Sequence, residues 1–251
     1  MTAEDTPDRT VLRISGADRH DFLQGLVTND LKTLDTGLVY AALLTPQGKY
    51  LADFFLAAAP EAILLDVKSG MADALARRLA MYRLRADVTI AATTLHVHRG
   101  LGPPPPAAFA DPRHPALGWR RYAADGAAPQ TIDWDAIRVA HAIPESGIEL
   151  IADDTYILEV GFERLNGVDF RKGCYVGQEV IARMKHKTEL RKGLATVEIV
   201  GAAPPGTPIL ADGKDAGTLF TRSGNRALAY LRFDRADGPM TAGAATLRRV
   251  S

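Results

Sequence analysis

The sequence predicts an α+β body followed by a small antiparallel β-barrel, on three observations. Between residues 11 and 142, short apolar runs joined by tight turns are interrupted by segments whose apolar residues recur at helical spacing. Beyond Leu190 only short strands remain, cut at even intervals by turn-forming residues. No GxGxxG follows a strand and no GxxxxGK[ST] occurs, which removes the dinucleotide-binding doubly wound sheet and the P-loop. The expected division is a body over 1–190 and a barrel over 191–251.

Val11–Ile14 reads as a strand, and Ser15 or Asp18 caps a helix with Phe22, Leu23, Leu26 and Val27 on one face. Thr28, Asn29 and Asp30 end that helix. Val39–Leu44 and Tyr50–Ala57 are strands of a hairpin closed by TPQGK, and Ala62–Val67 is a third. Ser69 offers an N-cap to a helix over Met71–Tyr82, and Asp87–Ala91 and Leu95–Arg99 follow as strands. Helices packed on one face of such hairpins make an α+β layer. Residues 100–118 hold four successive prolines and form a linker or surface excursion. Trp119–Tyr122 rejoins a sheet, and Trp134–Ala142 is a helix capped by Thr131 or Asp133 and stopped before Pro144. The barrel strands are Leu194–Val200, Thr207–Leu210, Gly217–Thr221, Ala227–Arg232 and Ala245–Arg249.

The 251 residues are 47% hydrophobic, enough for a well-buried core, and 30 basic residues balance 30 acidic ones. No global field draws the chain to nucleic acid or to a membrane, so any such preference is local. The first ten residues carry acids and no apolar h-region, which argues against a secretory signal, and a cytoplasmic location is the expectation. A single cysteine excludes an internal disulfide and, with no Cys/His cluster, a complete metal or iron–sulfur site from one chain. His96 and His98 share a strand face, but nothing near them completes a metal site, and a surface pair is expected.

That cysteine sits in KGCYVGQE, Lys172 to Glu179. Gly173 and Gly177 allow a tight loop, which presents Cys174, and Arg171 and Lys172 supply positive charge that favours thiolate. Gln178 and Glu179 are expected to anchor the loop by hydrogen bonds. A small buried apolar residue is the alternative for a lone cysteine. Arg171, Lys172, Arg183, Lys185, Lys187, Arg191 and Lys192 form a basic strip, either an anion site or a solvated face. With few aromatics among them, nucleic acid is a poor partner.

KGCYVGQE, preceded by GVDF and followed by VIAR, resembles the signature of YgfZ-type proteins, which are similar to the glycine cleavage T-protein, an aminomethyltransferase. The resemblance implies a GcvT-like folate-binding fold with a C-terminal β-barrel, tetrahydrofolate or a derivative as cofactor, and a role in iron–sulfur cluster assembly or repair. Scaffold or client proteins of that process are the implied partners. HDFLQGLVTNDL resembles the family segment whose helix ends at a polar turn near the ligand, which makes Asn29 a candidate contact. GKYLADFF resembles the stretch that carries an Asp-Asp pair beside the folate. Here Asp53 is present and Ala52 replaces its neighbour; read alone, a strand aspartate facing water is the alternative. YRLRADV resembles a segment that makes Arg83 a candidate ligand contact, or a helix-ending cation. Arg138 matches a family arginine, with Ala140 where a pterin-binding Glu is expected. Lys172, Tyr175 and Gln178 complete the candidate cofactor contacts, and Cys174 is the functional thiol, a ligand shared with a partner. An aminomethyltransferase-like one-carbon enzyme is the rival function, and the substitutions at Ala52 and Ala140 speak against it.

Overall fold

The computed structural model describes residues 4–126, 131–186 and 189–250. The chain folds into two compact units. One runs to Ile132 and takes in Glu163–Val180; the other joins Asp133–Phe162 to the chain from Ile181 onwards. The first strand of the barrel begins at Lys192, and a segment read as body, Asp133–Phe162, packs in the barrel's unit.

The first unit contains β1 (Glu4–Asp5), β2 (Arg9–Ser15), α1 (Arg19–Gln24), β3 (Val39–Leu44), β4 (Tyr50–Ala59), β5 (Ala62–Lys68), α2 (Ser69–Tyr82), β6 (Thr89–Ala92), β7 (His96–Gly100), β8 (Phe109–Ala110) and β9 (Trp119–Ala123). Five strands form an antiparallel sheet in the order β3-β4-β5-β2-β6, and four form a second, β1-β7-β9-β8. The expected hairpins are all present. β1 and β8 escaped the sequence because each spans only two residues.

One face of the five-stranded sheet carries Leu12, Ile14, Val39, Ala41, Phe54, Leu56, Ile63 and Leu65, covered by Leu23 of α1 and by Ala72, Leu75 and Leu79 of α2. This is the helix-covered layer expected from the sequence. The other face is not open to water: all six residues of β3 are buried, and so are seven of the ten in β4. A continuous apolar run rather than strict alternation is the sequence mark of a strand buried on both sides.

What covers that second face is charged. Antiparallel partners lie on the same side of a sheet, which aligns Tyr40 with Phe55 and Phe55 with Asp66. Asp66 receives Arg9, Arg120 at 3.2 Å and the hydroxyl of Tyr122 at 3.2 Å. Arg120 also donates to Asp111 at 3.0 Å, and Asp111 takes Arg113 in a two-pronged pair at 3.0 and 2.9 Å. The ring of Phe55 meets all three guanidiniums, with Arg120, Arg113 and Arg9 at 3.9, 4.8 and 5.4 Å from its centroid. Each such contact contributes roughly 0.5–2 kcal/mol when desolvated. Nearby, the buried carboxylate of Asp53 accepts from Tyr50 at 2.6 Å and Tyr40 at 3.0 Å. Three arginines and three aspartates thus share one interior.

In the second unit, α3 (Trp134–Ala140) is capped by Asp133, whose side chain accepts from the Ala136 amide. The helix stops two residues earlier than expected. VIAR falls within α4 (Gln178–His186), a helix that follows the thiol loop directly. β10 (Lys192–Val200), β11 (Pro208–Ala211), β12 (Lys214–Ser223), β13 (Arg226–Arg232), β14 (Met240–Ala242) and β15 (Ala245–Arg249) close into a barrel in the order β10-β13-β12-β11-β14-β15. Its interior holds Ala216, Ala227, Ala229, Ala242 and Ala245 among larger residues, as a narrow barrel requires. Five of the six strands are those expected; β14 lies inside RADGPMTA, where Gly and Pro mask it.

Burial works to raise the carboxyl of Asp111, and Arg113 and Arg120 outweigh it, so the group sits well below the ordinary carboxylate value. A carboxylate lowered in the folded state stabilises above about pH 4 and loses that contribution as pH falls towards its folded value. Asp111→Asn should therefore cost about 3–5 kcal/mol at neutral pH, because two buried guanidiniums lose a counter-charge. It should also flatten the acid side of the stability profile, read by urea unfolding between about pH 5 and pH 2.

Candidate functional site

The KGCYVGQE loop is fixed at its base and open at its tip. Lys172 is buried, and its ammonium donates to the carbonyls of Gln24 at 2.7 Å, Val27 at 2.5 Å and Asn29 at 3.1 Å. Gln24 is the last residue of α1 and Val27 and Asn29 stand in the turn after it, so a lysine from a distant segment satisfies one carbonyl of the helix end and two of the turn. Burial pushes this ammonium down to about 8, against the pull of Asp30 and Asp169, so it remains mostly cationic at neutral pH. The same ammonium stands 5.2 Å from the ring centroid of Tyr175, itself buried, with its phenol pushed up to about 12 by burial.

Between those two buried side chains, Gly173 and Cys174 are exposed. The alternative of a buried, inert cysteine is thereby excluded. The two glycines differ. Gly177 has φ +83°, and a Cβ there would come within 2.6 Å of the Thr45 carbonyl oxygen. Gly48, in the turn between β3 and β4, has φ +76°, and its Cβ would lie 2.9 Å from that of Val180. The loop rests on the hairpin turn backbone against backbone at Gly177, and the first turn of α4 rests on it through the Val180 side chain. Gly173 has open space around it, so neither close packing nor left-handed backbone requires a glycine there.

The turn that Lys172 grips is tied in by its own side chains. Thr28 donates its hydroxyl to the Gly167 carbonyl at 2.7 Å and accepts from the Ala42 amide at 2.8 Å. Asn29 directs its side-chain amide to the carbonyls of Tyr40 and Asn166, at 2.9 and 2.7 Å, and its oxygen accepts from the Asp30 amide. Sequence reasoning missed Thr28 and Gly48 as supports of the thiol loop. Both stand in segments it marks, but only as a helix-breaker and a hairpin glycine.

The structure brings Asn29, Lys172, Cys174, Tyr175 and Gln178 to one neighbourhood of the first unit. It does not place the other candidates there in working form. Asp53 is a buried carboxylate held by two tyrosines, not one facing water. Arg83 is exposed beyond the end of α2, where it donates to the Val88 carbonyl at 3.3 Å. Arg138 lies buried in the second unit, where Asp135, Ile143, Glu149 and Thr221 take its guanidinium donors. Its partner carboxylate Glu149 is far along the chain from Ala140, where a Glu was expected. Tetrahydrofolate does not fit these residues as a set, because Asn29, Asp53, Arg138 and Lys172 already pair their polar atoms within the protein. Tyr175 and Gln178 retain a hydroxyl and an amide for a ligand or partner.

Arg171 and Lys172 do not act alike on the thiol. The ammonium of Lys172 is committed to carbonyls, while the Arg171 side chain is 95% exposed and lies 4.0 Å from Asp169. Glu179 is exposed in the first turn of α4, where an acid suits the helix dipole. The basic strip is accordingly mixed: Lys172 is interior, Arg183 and Lys185 are exposed, and Lys187 lies outside the described residues. His98 is buried against Arg121 at 3.0 Å, so it and exposed His96 are not the surface pair expected. Among the described residues no group of three His, Cys, Asp or Glu side chains could hold a metal.

Comparison with known proteins agrees with this architecture. Two sheets and a closed barrel define a protein of aminomethyltransferase fold: the chain superposes on the glycine cleavage system aminomethyltransferase T of Bartonella henselae with a TM-score of 0.78, at 13% identity, over 99% of this chain and 84% of that one. Residues 191–250 match the family described as "CAF17, C-terminal beta-barrel domain". The chain is 32% identical to the mouse iron-sulfur cluster assembly factor IBA57, mitochondrial, over 92% of this chain and 78% of the relative, and 31% identical to the human protein over the same shares. With the homologue of Mycosarcoma maydis it shares 34% identity over 79% of its length, spanning 58% of that longer protein. It belongs to the IBA57 family of iron–sulfur cluster assembly factors. The expectation of a cytoplasmic location is overturned, since these relatives are mitochondrial proteins. An N-terminal stretch without an apolar h-region speaks only against secretory export and does not separate cytoplasm from an organelle interior.

Two neighbouring cations should respond oppositely to removal. Lys172→Met leaves carbonyls at the end of α1 without donors and should cost about 2–4 kcal/mol in urea unfolding. Arg171→Met, at a solvated side chain, should stay within about 0.5 kcal/mol of wild type.

Proposed function

We propose that this chain, read as a YgfZ-type member of its family, acts in iron–sulfur cluster assembly or repair by lending the Cys174 thiolate to a cluster held jointly with a partner protein. One observation carries the proposal: the single cysteine is exposed at the tip of a loop whose flanking residues, Lys172 and Tyr175, are buried, with Lys172 bonded to the end of α1. A cluster normally takes four protein ligands, so one thiol implies that the rest come from elsewhere. In the transfer, Cys174 gives up its proton and its sulfur bonds to iron, while a thiolate of the donor leaves the iron and takes up a proton. Iron and sulfide keep their oxidation states, and no other reactant is needed.

The transferase reading is disfavoured by the same geometry. The carboxylate of Asp53 is capped by two tyrosine hydroxyls, and the guanidinium of Arg138 is closed by its own unit. Tetrahydrofolate binding belongs to the proposal as a feature expected of the fold, held by groups other than the paired residues Asn29, Asp53, Arg138 and Lys172.

In cells lacking the gene, the activity of a 4Fe–4S enzyme should fall, wild type should restore it, and Cys174→Ser should not, at equal protein levels. Full restoration by the Ser variant would sink the role of the thiol. Folate is tested separately: titration of the purified chain with tetrahydrofolate, followed by tryptophan fluorescence, should saturate with Kd below about 100 μM. A flat titration would remove the folate and leave the cluster role standing.

A further inference from the structure

Where α2 ends, the chain exposes what it elsewhere hides. Met81 is 69% exposed and Leu84 is 90% exposed, the largest value for any large apolar residue among those described. Leu84 also has φ 42°, in the left-handed region that an L-residue with a branched side chain avoids. Strain and apolar exposure at one residue both oppose folding, and an observed outlier of this kind points to function. Around the pair stand Arg77, Arg78, Arg83 and Arg85, all exposed. The nearby acids Asp18 and Asp87 accept from backbone amides, Asp18 from the Asp87 amide at 2.7 Å and Asp87 from the Ala17 amide at 3.1 Å, and keep their charge, so the four arginines outnumber them by two. Asp73 lies farther back along α2.

We propose that this tip docks on an anionic membrane surface, with Met81 and Leu84 entering the headgroup region and the four arginines pairing with lipid phosphates. Charge complementarity supports this occupant. The chain as a whole is neutral, with 30 basic and 30 acidic residues, so attraction to an anionic bilayer has to come from a local cluster. The combination of residues supports it as well: two exposed apolar side chains at a helix end, with exposed arginines close to them in the chain, suit insertion at an interface. The tip adjoins the N-terminal end of α1, through the Asp18–Asp87 backbone contact, whereas Lys172 grips the Gln24 end. Overall charge gave no reason to expect a membrane.

Co-sedimentation of the full chain with phosphatidylcholine vesicles, against vesicles in which about a third of the lipid is phosphatidylglycerol, tests the proposal. Wild type should bind the anionic vesicles at low salt, bind the neutral ones weakly, and lose affinity as salt rises. Arg77→Gln with Arg78→Gln should lower partitioning about 25-fold, at about fivefold for each charge. Leu84→Gly should lower it about tenfold while holding or raising Tm, because glycine accepts the left-handed backbone; loss of fold cannot then account for the loss of binding. Equal retention on both vesicle types, or tip variants that bind as wild type does, would overturn the proposal; in that event an acidic protein face becomes the occupant to seek.

Discussion

The ammonium of Lys172, held by three carbonyls at the end of α1 and in the turn that follows it, is the constraint on which the functional surface depends. It joins segments almost 150 residues apart in the chain (|i−j| = 148 for Lys172 and Gln24) and turns an otherwise open loop into a fixed one. A buried ammonium is tolerable only when its hydrogens are all directed to acceptors, and here they are the carbonyls of Gln24, Val27 and Asn29. The exposed thiol of Cys174 is a consequence. With Lys172 and Tyr175 pulled inward on either side, the short stretch between them has nowhere to go but out.

The platform beneath the loop is rigid for a different reason. The hairpin of β3 and β4, on whose turn Gly177 and Gly48 meet their neighbours, is buried on both faces. One face is held by ordinary apolar packing against α1 and α2, the other by arginines stacked on Phe55 and paired with Asp66 and Asp111. Such a layer is a weak source of net stability, since desolvation offsets much of the attraction. Its directional bonds do fix the register between the two sheets, and hence the position of the turn that carries the loop. The same need to pair buried polar groups accounts for the internal partners of Asp53 and Arg138: each completes a buried network that would be left incomplete without it.

Family membership and geometry both support the proposed loan of a thiol to something larger. The fold is shared with an aminomethyltransferase, yet fold alone carries no chemistry, and the residues that would handle a folate proton are engaged in holding the interior together. Beside the cysteine stand the exposed Arg171 and Glu179 and the half-buried Gln178, while Tyr175 is buried. That inventory suits recognition of a protein-borne cluster, in which most ligands belong to the other party, better than enclosure of a cofactor.

The sequence by itself determined the α+β class, nearly every strand of the body, the barrel after Leu190 and the singular octapeptide, because these rest on local periodicity, turn residues and a single cysteine. It put Lys172, Cys174 and Tyr175 in one group, since they are near neighbours in the chain. It could not say that Lys172 points inward while Arg171 points to solvent, for that depends on acceptors near residue 24. Nor could it find the charged layer, in which Arg9, Asp66, Asp111, Arg113 and Arg120 come from separate strands and loops, or foresee that Asp133–Phe162 packs with the barrel. Those were decided only by tertiary structure, because the partner that satisfies a buried charge is chosen by proximity in space, and spacing along the chain carries no record of it.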